Sequence, residues 1–149
     1  MTSLQIFYYP PHELLYNLIN MKPIPVTIDP ADTRRYFRLK SEARSKKIAE
    51  RLVHAITDAE AIIQMIIRNY RPDKIWQWGS LLHHEYFSEI SDIDIALEGE
   101  MSPEIFFQIL NKADAMTPFK VDIVRLETIE PLHASSIREN GRLVYSRET

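Results

Sequence analysis

The chain has 149 residues, of which 45% are hydrophobic and 26% are charged. These values are ordinary for one globular domain and argue against wholesale disorder. It contains no cysteine, which excludes disulfides, thiolate metal sites and a cysteine nucleophile, and is consistent with a reducing compartment. No apolar run approaches the roughly 18–20 residues that cross a bilayer, and the amino terminus does not resemble a signal peptide. We therefore expect a soluble cytoplasmic protein without a membrane partner.

Charge is distributed unevenly along the chain. Residues 33–51 hold eight Lys or Arg against Glu42 and Glu50, a net charge of +6, so the other residues sum to −9 for a chain total of −3. Four of these basic residues share one face of a predicted helix: Lys40, Arg44, Lys47 and Arg51. A solvated face is the first interpretation. The alternatives are an acidic protein partner or a nucleic acid, although no RNA-binding motif supports the latter.

The first thirty positions contain five of the nine prolines and predict short pieces, with one brief helix over 13–20. Asp29-Pro30 predicts the start of a long helix, with Asp29 as its N-cap. Apolar residues recur at three- and four-residue steps from Ile48 to Ile67 and predict a buried stripe. Because the apolar pattern fades at Leu39–Ser45, and an unbroken helix would be long for a domain of this size, we expect a break or bend there.

The second half of the chain alternates predicted strands and helices. Strands are predicted at Lys74–Trp78, Asp92–Leu97, Phe119–Leu126 and Leu143–Tyr145, and helices at Pro103–Ala115 and Pro131–Glu139. This order predicts an α/β (α+β) fold in which a small mixed sheet is flanked by helices. We predict two parts: an N-terminal helical extension over 1–68 that packs on the core, and a domain over 69–149.

Three aspartates form the most informative pattern. Asp92 and Asp94 lie two residues apart on a predicted strand, so both side chains leave the same face within reach of one cation. Asp122 repeats this pattern on a later strand. Carboxylates brought together repel one another, and a hard divalent cation is their usual partner. Gly79-Ser80 directly follows a strand and offers N–H groups and a hydroxyl to a phosphate. We predict that the aspartates cluster at the carboxyl ends of adjacent strands and face Ser80 across a cleft.

Three stretches of sequence carry a resemblance to a known family. Trp78-Gly79-Ser80, Ser91–Leu97 and Val121–Val124 resemble the motifs of the minimal nucleotidyltransferases of the polymerase β superfamily, which are stand-alone domains often encoded beside a HEPN partner. The resemblance implies a nucleotidyltransferase-type sheet and a metal-dependent enzyme. Such an enzyme transfers a nucleoside monophosphate from an NTP, with ATP expected, to a protein or small-molecule acceptor. It also implies a HEPN-type partner, with this chain as the antitoxin of a toxin–antitoxin pair.

The same resemblance assigns roles to individual residues. Gly79 and Ser80 contact the terminal phosphates of the nucleotide. Asp92 and Asp94 are ligands shared by two Mg²⁺ or Mn²⁺ ions, and Asp122 is both a metal ligand and the group that activates the attacking hydroxyl.

Other functions stay open. The loop Leu81–Ser91 is one residue longer than the family usually has and lacks the arginine and glycine of many members. This favours a catalytically degenerate module that neutralises its partner by contact, and a nucleic-acid binder using the basic helix is a third possibility. His83 and His84 are either phosphate or metal contacts or plain loop residues, and we favour the latter. We expect Trp76 and Trp78 to be core residues, although one of them could stack on a base.

Overall fold

The computed structural model describes residues 29–147. The chain divides into two compact units between Arg38 and Leu39. Of the first unit, residues 29–38 are described, and they contain the start of a helix. Oδ1 of Asp29 accepts a hydrogen bond of 2.7 Å from the backbone N–H of Ala31, which confirms Asp29 as the N-cap. The brief helix expected over 13–20 lies outside the described residues.

Helix α1 runs from Pro30 to Tyr70. All residues between these limits are helical, so the break expected at Leu39–Ser45 was wrong, and a bend there stays a prediction. The segment consists of Leu, Lys, Ser, Glu, Ala, Ser and Arg residues, most of which favour the helical conformation. The side chains of this segment are exposed, so it needs no apolar stripe. Exposure alone does not end a helix.

Four short strands form one mixed sheet. They are β1 (Lys74–Trp78), β2 (Ile93–Glu98), β3 (Val121–Arg125) and β4 (Arg142–Ser146). The sheet order is β3-β2-β1-β4, in which β2 and β3 are parallel and β1 is antiparallel to both β2 and β4. Helix α2 (Pro103–Met116) connects β2 to β3, and helix α3 (Pro131–Asn140) precedes β4. The predicted α/β class, with a small mixed sheet flanked by helices, is confirmed.

The two faces of the sheet pack against different helices. In the larger core, the inward residues of the strands meet α1 and α2; its fully buried members include Ala55, Ala59, Ile62, Ile66, Ile75, Ile93, Ile95, Leu97 and Ile109. On the other face, Ala96 packs with Ala134 and Ile137 of α3, and Trp76 and Trp78 are half-buried against them. Within the described part of the chain, no helix combines the length and hydrophobicity that a membrane crossing requires.

Candidate active site

The predicted aspartates meet at one edge of the sheet. In the parallel pair of β2 and β3, Asp94 is registered opposite Asp122, and in the antiparallel pair of β1 and β2 it is registered opposite Trp78. Asp92 immediately precedes β2. Residues that pair directly across neighbouring strands project from the same face, so Asp94 and Asp122 share one face of the sheet.

The end of the sheet at which they meet differs from the prediction. We expected the carboxyl ends of adjacent strands, whereas Asp94 and Asp122 are the second residues of β2 and β3 and lie at their amino ends. Gly79-Ser80 does follow the carboxyl end of β1. The connection from β1 to β2 contains two 3₁₀ turns and no α-helix that crosses the sheet, and the two strands run antiparallel. The carboxyl end of β1 therefore meets the amino end of β2.

Gly79 lies directly against the central aspartate. Its φ angle is +76°, which glycine adopts without steric cost. A Cβ atom at this position would lie 2.0 Å from Oδ2 of Asp94, so no other residue fits without displacing that carboxylate. The backbone N–H of Ser80 lies close enough to Asp94 to favour its charged form and to lower its pKa. The Gly-Ser pair and the aspartates therefore belong to one site.

Asp94 has a strongly perturbed acidity. Burial is the largest cause, followed by repulsion from Asp122 and then Asp92, and together they raise the pKa of Asp94 from 3.8 to about 6. Lys120 and the N–H of Ser80 act in the opposite direction. The carboxylates are thus close enough to destabilise each other's charge, so added positive charge at this edge is favourable.

Lys120 is the residue to which the sequence interpretation gave no role. Its Nζ lies 2.7 Å from Oδ2 of Asp92. The hydrogen bond and charge of Asp92 are the main causes that raise the pKa of Lys120, and Asp122 and Asp94 add to them. One lysine against three aspartates leaves the edge negatively charged. The signal in the sequence is spacing, because Lys120 stands two residues before Asp122 and strand alternation brings both to one face.

The donor set suits a hard divalent cation. Carboxylate oxygens are the ligands that Mg²⁺ and Mn²⁺ prefer, and the repulsion that raises the pKa of Asp94 is what such an ion relieves. Among residues 29–147, no group of three or more His, Asp or Glu side chains is already arranged to hold a metal ion. Asp92 is engaged by Lys120, so metal ligation by all three aspartates stays a prediction.

The two histidines lie in the connection between β1 and β2, and both are exposed. The ring of His83 meets that of Tyr86 edge-on, with centroids 6.3 Å apart, and its Nδ1 lies 3.9 Å from Oε1 of Glu85. In the described residues, neither histidine joins a metal-binding group. His83 does line a cavity beside Gly79.

Comparison with known families agrees with this geometry. The sequence model of the family described as "Polymerase beta, Nucleotidyltransferase" matches residues 60–149. The match covers more than half of the chain and includes Gly79, Ser80 and all three aspartates. It confirms the resemblance that the motifs showed. A search of curated proteins finds no match.

Nine chains of solved structures also match. A toxin–antitoxin with AMP-PNP is 20% identical, with a TM-score of 0.50, and the match covers 60% of this chain and 74% of that chain. A mutant of the toxin–antitoxin MntA-HpeT is 17% identical, with the same TM-score and coverage. A tri-AMPylated Shewanella oneidensis HEPN toxin in complex with MNT antitoxin is 18% identical, with a TM-score of 0.48 and coverage of 62% and 73%. At these identities the likeness concerns the fold.

Proposed function

We propose that this chain, which belongs to the polymerase β nucleotidyltransferase family, transfers a nucleoside monophosphate from a nucleoside triphosphate to an acceptor hydroxyl. The observation that carries the proposal is the sheet edge where Asp92, Asp94 and Asp122 lie beside Gly79-Ser80. A phosphate-binding turn against three mutually repelling carboxylates serves no evident purpose in stabilising the fold. It suits a substrate that brings phosphates and cations together.

Gly79 and Ser80 are assigned to the terminal phosphates of the nucleotide. The missing side chain of Gly79 allows the backbone to approach a ligand closely. Ser80 adds a hydroxyl at the start of a turn whose N–H groups suit an anion. Lys120 offers a positive charge at the same edge, and this charge offsets part of the repulsion between the aspartates and the incoming phosphates.

In the proposed reaction, the acceptor oxygen bonds to the α-phosphorus, the bond from that phosphorus to the α–β bridging oxygen breaks, and pyrophosphate leaves. Asp122 takes the proton of the acceptor hydroxyl. Asp92, Asp94 and Asp122 are the residues that would hold two Mg²⁺ or Mn²⁺ ions. When bound, such ions supply positive charge near the entering and departing oxygens. The placement of Asp94 and Asp122 on paired strands gives these carboxylates a rigid base.

ATP and a HEPN-type toxin are the proposed nucleotide and partner. A structure that shares the fold at a TM-score of 0.50 is a toxin–antitoxin with AMP-PNP, and another is a toxin–antitoxin MntA-HpeT mutant. The motif resemblance points to the same pairing. The acceptor is then a hydroxyl side chain of the toxin, and this chain is the antitoxin. A small-molecule acceptor is the alternative.

Labelled ATP tests the reaction directly. The purified chain is incubated with Mg²⁺, the HEPN-type protein proposed as its partner, and ATP labelled at the α- or the γ-phosphate. We expect the α-label on the partner and the γ-label in pyrophosphate. Asp94→Asn should abolish labelling, whereas Asp114→Asn, at an exposed position of α2, should not. A γ-label on the partner would indicate phosphoryl transfer and contradict the proposal.

A second candidate function is neutralisation of the partner by contact alone. The pairing of Asp92 with Lys120 favours it, because this ion pair occupies a carboxylate that catalysis needs. Co-expression of the toxin with an Asp92→Asn/Asp94→Asn double variant separates the two functions. Contact alone predicts full protection of the cells by the double variant, and nucleotide transfer predicts loss of protection.

Binding of nucleic acid by the basic helix gains no support. Arg44 forms an ion pair of 3.4 Å with Glu89. Arg51 is half-buried, and its guanidinium lies 4.4 Å from the ring centroid of Phe119. Arg44 and Arg51 of the basic face therefore have partners within the protein.

A further inference from the structure

A cavity of about 140 Å³ lies beside Gly79. Its walls come from the end of β1, the turn that follows and one side of α3, and they include Trp78, Gly79, His83, His133, Ser136 and Asn140. Pockets that enclose a whole drug-sized ligand measure about 300–1,000 Å³. This cavity therefore has room for one part of a nucleotide, such as a planar ring system, and not for the entire molecule.

The residues that line the cavity suit a nucleobase better than a phosphate. No Lys or Arg is among the described residues that line the cavity, so a phosphate there would lack a counter-charge. Three side chains with aromatic rings line it instead, namely Trp78, His83 and His133. The rings of Trp78 and His133 meet edge-on with centroids 5.1 Å apart. Aromatic walls suit the flat face of a nucleobase.

Asn140 brings a polar side chain to the wall of the cavity. The indole Nε1 of Trp78 makes no hydrogen bond with any described residue, but it is buried out of reach of solvent, so Trp78 contributes its ring to the cavity. Asn140 is held in place by its own Nδ2, which donates to the backbone oxygen of Ser136 at 3.1 Å. An asparagine amide is a side chain that reads adenine through paired hydrogen bonds.

Gly79 lies between the cavity and the three aspartates at the amino ends of β2 and β3. It lines the cavity, and its α-carbon also abuts the carboxylate of Asp94. One residue therefore separates the space for a ring from the proposed site of phosphate chemistry. A nucleotide whose phosphates lie on Gly79-Ser80 can reach the cavity with its nucleoside without crossing another element of the fold.

We infer that this cavity receives the base of the nucleotide, with Trp78 and His133 as its aromatic walls and Asn140 as its polar contact. The inference rests on the proposed function, since it assigns a place to the nucleoside part of the same substrate. Helix α3 would then select the nucleotide, and the aspartates would carry out the transfer.

Calorimetric titration of the full chain with two probes tests the assignment. The probes are α,β-methylene-ATP, which resists transfer, and inorganic tripolyphosphate, which lacks a base; both are used with Mg²⁺. Asn140→Ala and His133→Ala should each weaken binding of the ATP analogue about tenfold, equivalent to about 1.4 kcal/mol, and change tripolyphosphate binding by less than twofold. Both positions are exposed, so the fold tolerates these changes. Asn111→Ala, at an exposed position of α2, should alter neither affinity.

The outcomes distinguish this inference from the proposed function. If the wild type transfers nucleotide but Asn140→Ala and His133→Ala bind the analogue as tightly as it does, the cavity does not hold the base and the inference alone fails. Equal weakening for both probes likewise overturns it, because the cavity would then hold phosphate. If the variants discriminate as expected but the wild type transfers nothing to its partner, the proposed reaction fails and the base site stands.

Discussion

The two ends of strand β2 carry acidic groups in opposite electrostatic situations. At the carboxyl end, Glu98 accepts hydrogen bonds from Lys74 at 3.2 Å, Arg138 at 3.3 Å and the indole N–H of Trp76 at 3.4 Å. Burial raises the pKa of Glu98, but Lys74 and Arg138 outweigh it, and the net change is a decrease. This carboxylate is fully partnered and suits a structural role.

At the amino end of β2, the balance is reversed. Three aspartates share one lysine, and the pKa of Asp94 is raised to about 6 by burial and by its acidic neighbours. A protein stabilises its fold by pairing charges, as it does at Glu98, so a cluster left unpaired marks a place where a ligand completes the pairing. We therefore assign a structural role to the carboxyl end of this six-residue strand and the proposed catalytic role to its amino end.

Removal of helix α1 should have the largest effect, because one face of the sheet packs against it. A fragment of residues 69–149 lacks Ile62 and Ile66, which are fully buried in the larger core. Each buried isoleucine contributes about 1.5–3 kcal/mol, against a total stability of about 5–15 kcal/mol for a domain. We expect this fragment to be unfolded by circular dichroism, whereas a fragment of residues 39–149 should fold. A cooperative melt from the shorter fragment would show that the sheet stands without α1.

Divalent metal should stabilise the protein through the aspartates at the amino end of β2, and not through Glu98 at its carboxyl end. Mg²⁺ or Mn²⁺ binds the folded acidic edge, and a ligand at a hundredfold excess over its Kd stabilises a protein by about 2.7 kcal/mol. We expect a rise of several degrees in the Tm of the wild type by scanning calorimetry. The rise should be unchanged in Glu98→Gln and largely lost in Asp94→Asn. Equal rises in all three proteins would place the metal elsewhere.

Replacing the paired carboxylate should lower stability without affecting the acidic edge. Glu98→Gln removes the charge that Lys74 and Arg138 face, which we expect to cost roughly 1–2 kcal/mol because both partners are partly exposed. Urea unfolding measures the loss, and Glu100→Gln at an exposed neighbouring position is the control. If Glu98→Gln were as stable as the control, the ion pairs of Glu98 with Lys74 and Arg138 would contribute no more than ordinary surface ion pairs.

Stability should also depend on pH in the absence of divalent metal. The pKa of Asp94 is raised in the folded state, so its protonated form is favoured there. Its contribution to stability is complete below about pH 4 and is lost as the pH rises through about 6. The Tm of Asp94→Asn relative to wild type should therefore increase between about pH 4 and about pH 7. A constant difference across this range would show that Asp94 titrates normally.

The fold was largely predictable because its signals are local. Alternation located β1 and β2, and the predicted N-cap Asp29 accepts a hydrogen bond from the backbone N–H of Ala31. The break expected at Leu39–Ser45 was wrong because a fading apolar pattern reports lost packing, whereas helical continuity depends on backbone propensity. The division into an extension over 1–68 and a domain over 69–149 stays a prediction.

The site was predictable in composition but not in arrangement. Spacing brought Asp92, Asp94 and Asp122 into one group and placed Gly79 beside them. The end of the strands was assigned wrongly, since strand direction depends on tertiary pairing that no local pattern encodes. Strand alternation places Lys120 on the same face as Asp122, but its ion pair with Asp92 and the cavity along α3 depend on contacts between distant segments, which periodicity cannot show.

Pyrophosphate release measured for Asp94→Asn and Glu98→Gln in parallel tests the central claim most directly. Both proteins are assayed with ATP, Mg²⁺ and the proposed HEPN-type partner, at a temperature where calorimetry shows both to be folded. Loss of several kcal/mol of transition-state stabilisation should slow Asp94→Asn by at least about a hundredfold. Glu98→Gln should stay within about twofold of wild type. An Asp94→Asn protein as active as Glu98→Gln would contradict the assignment of catalysis to the amino end of β2.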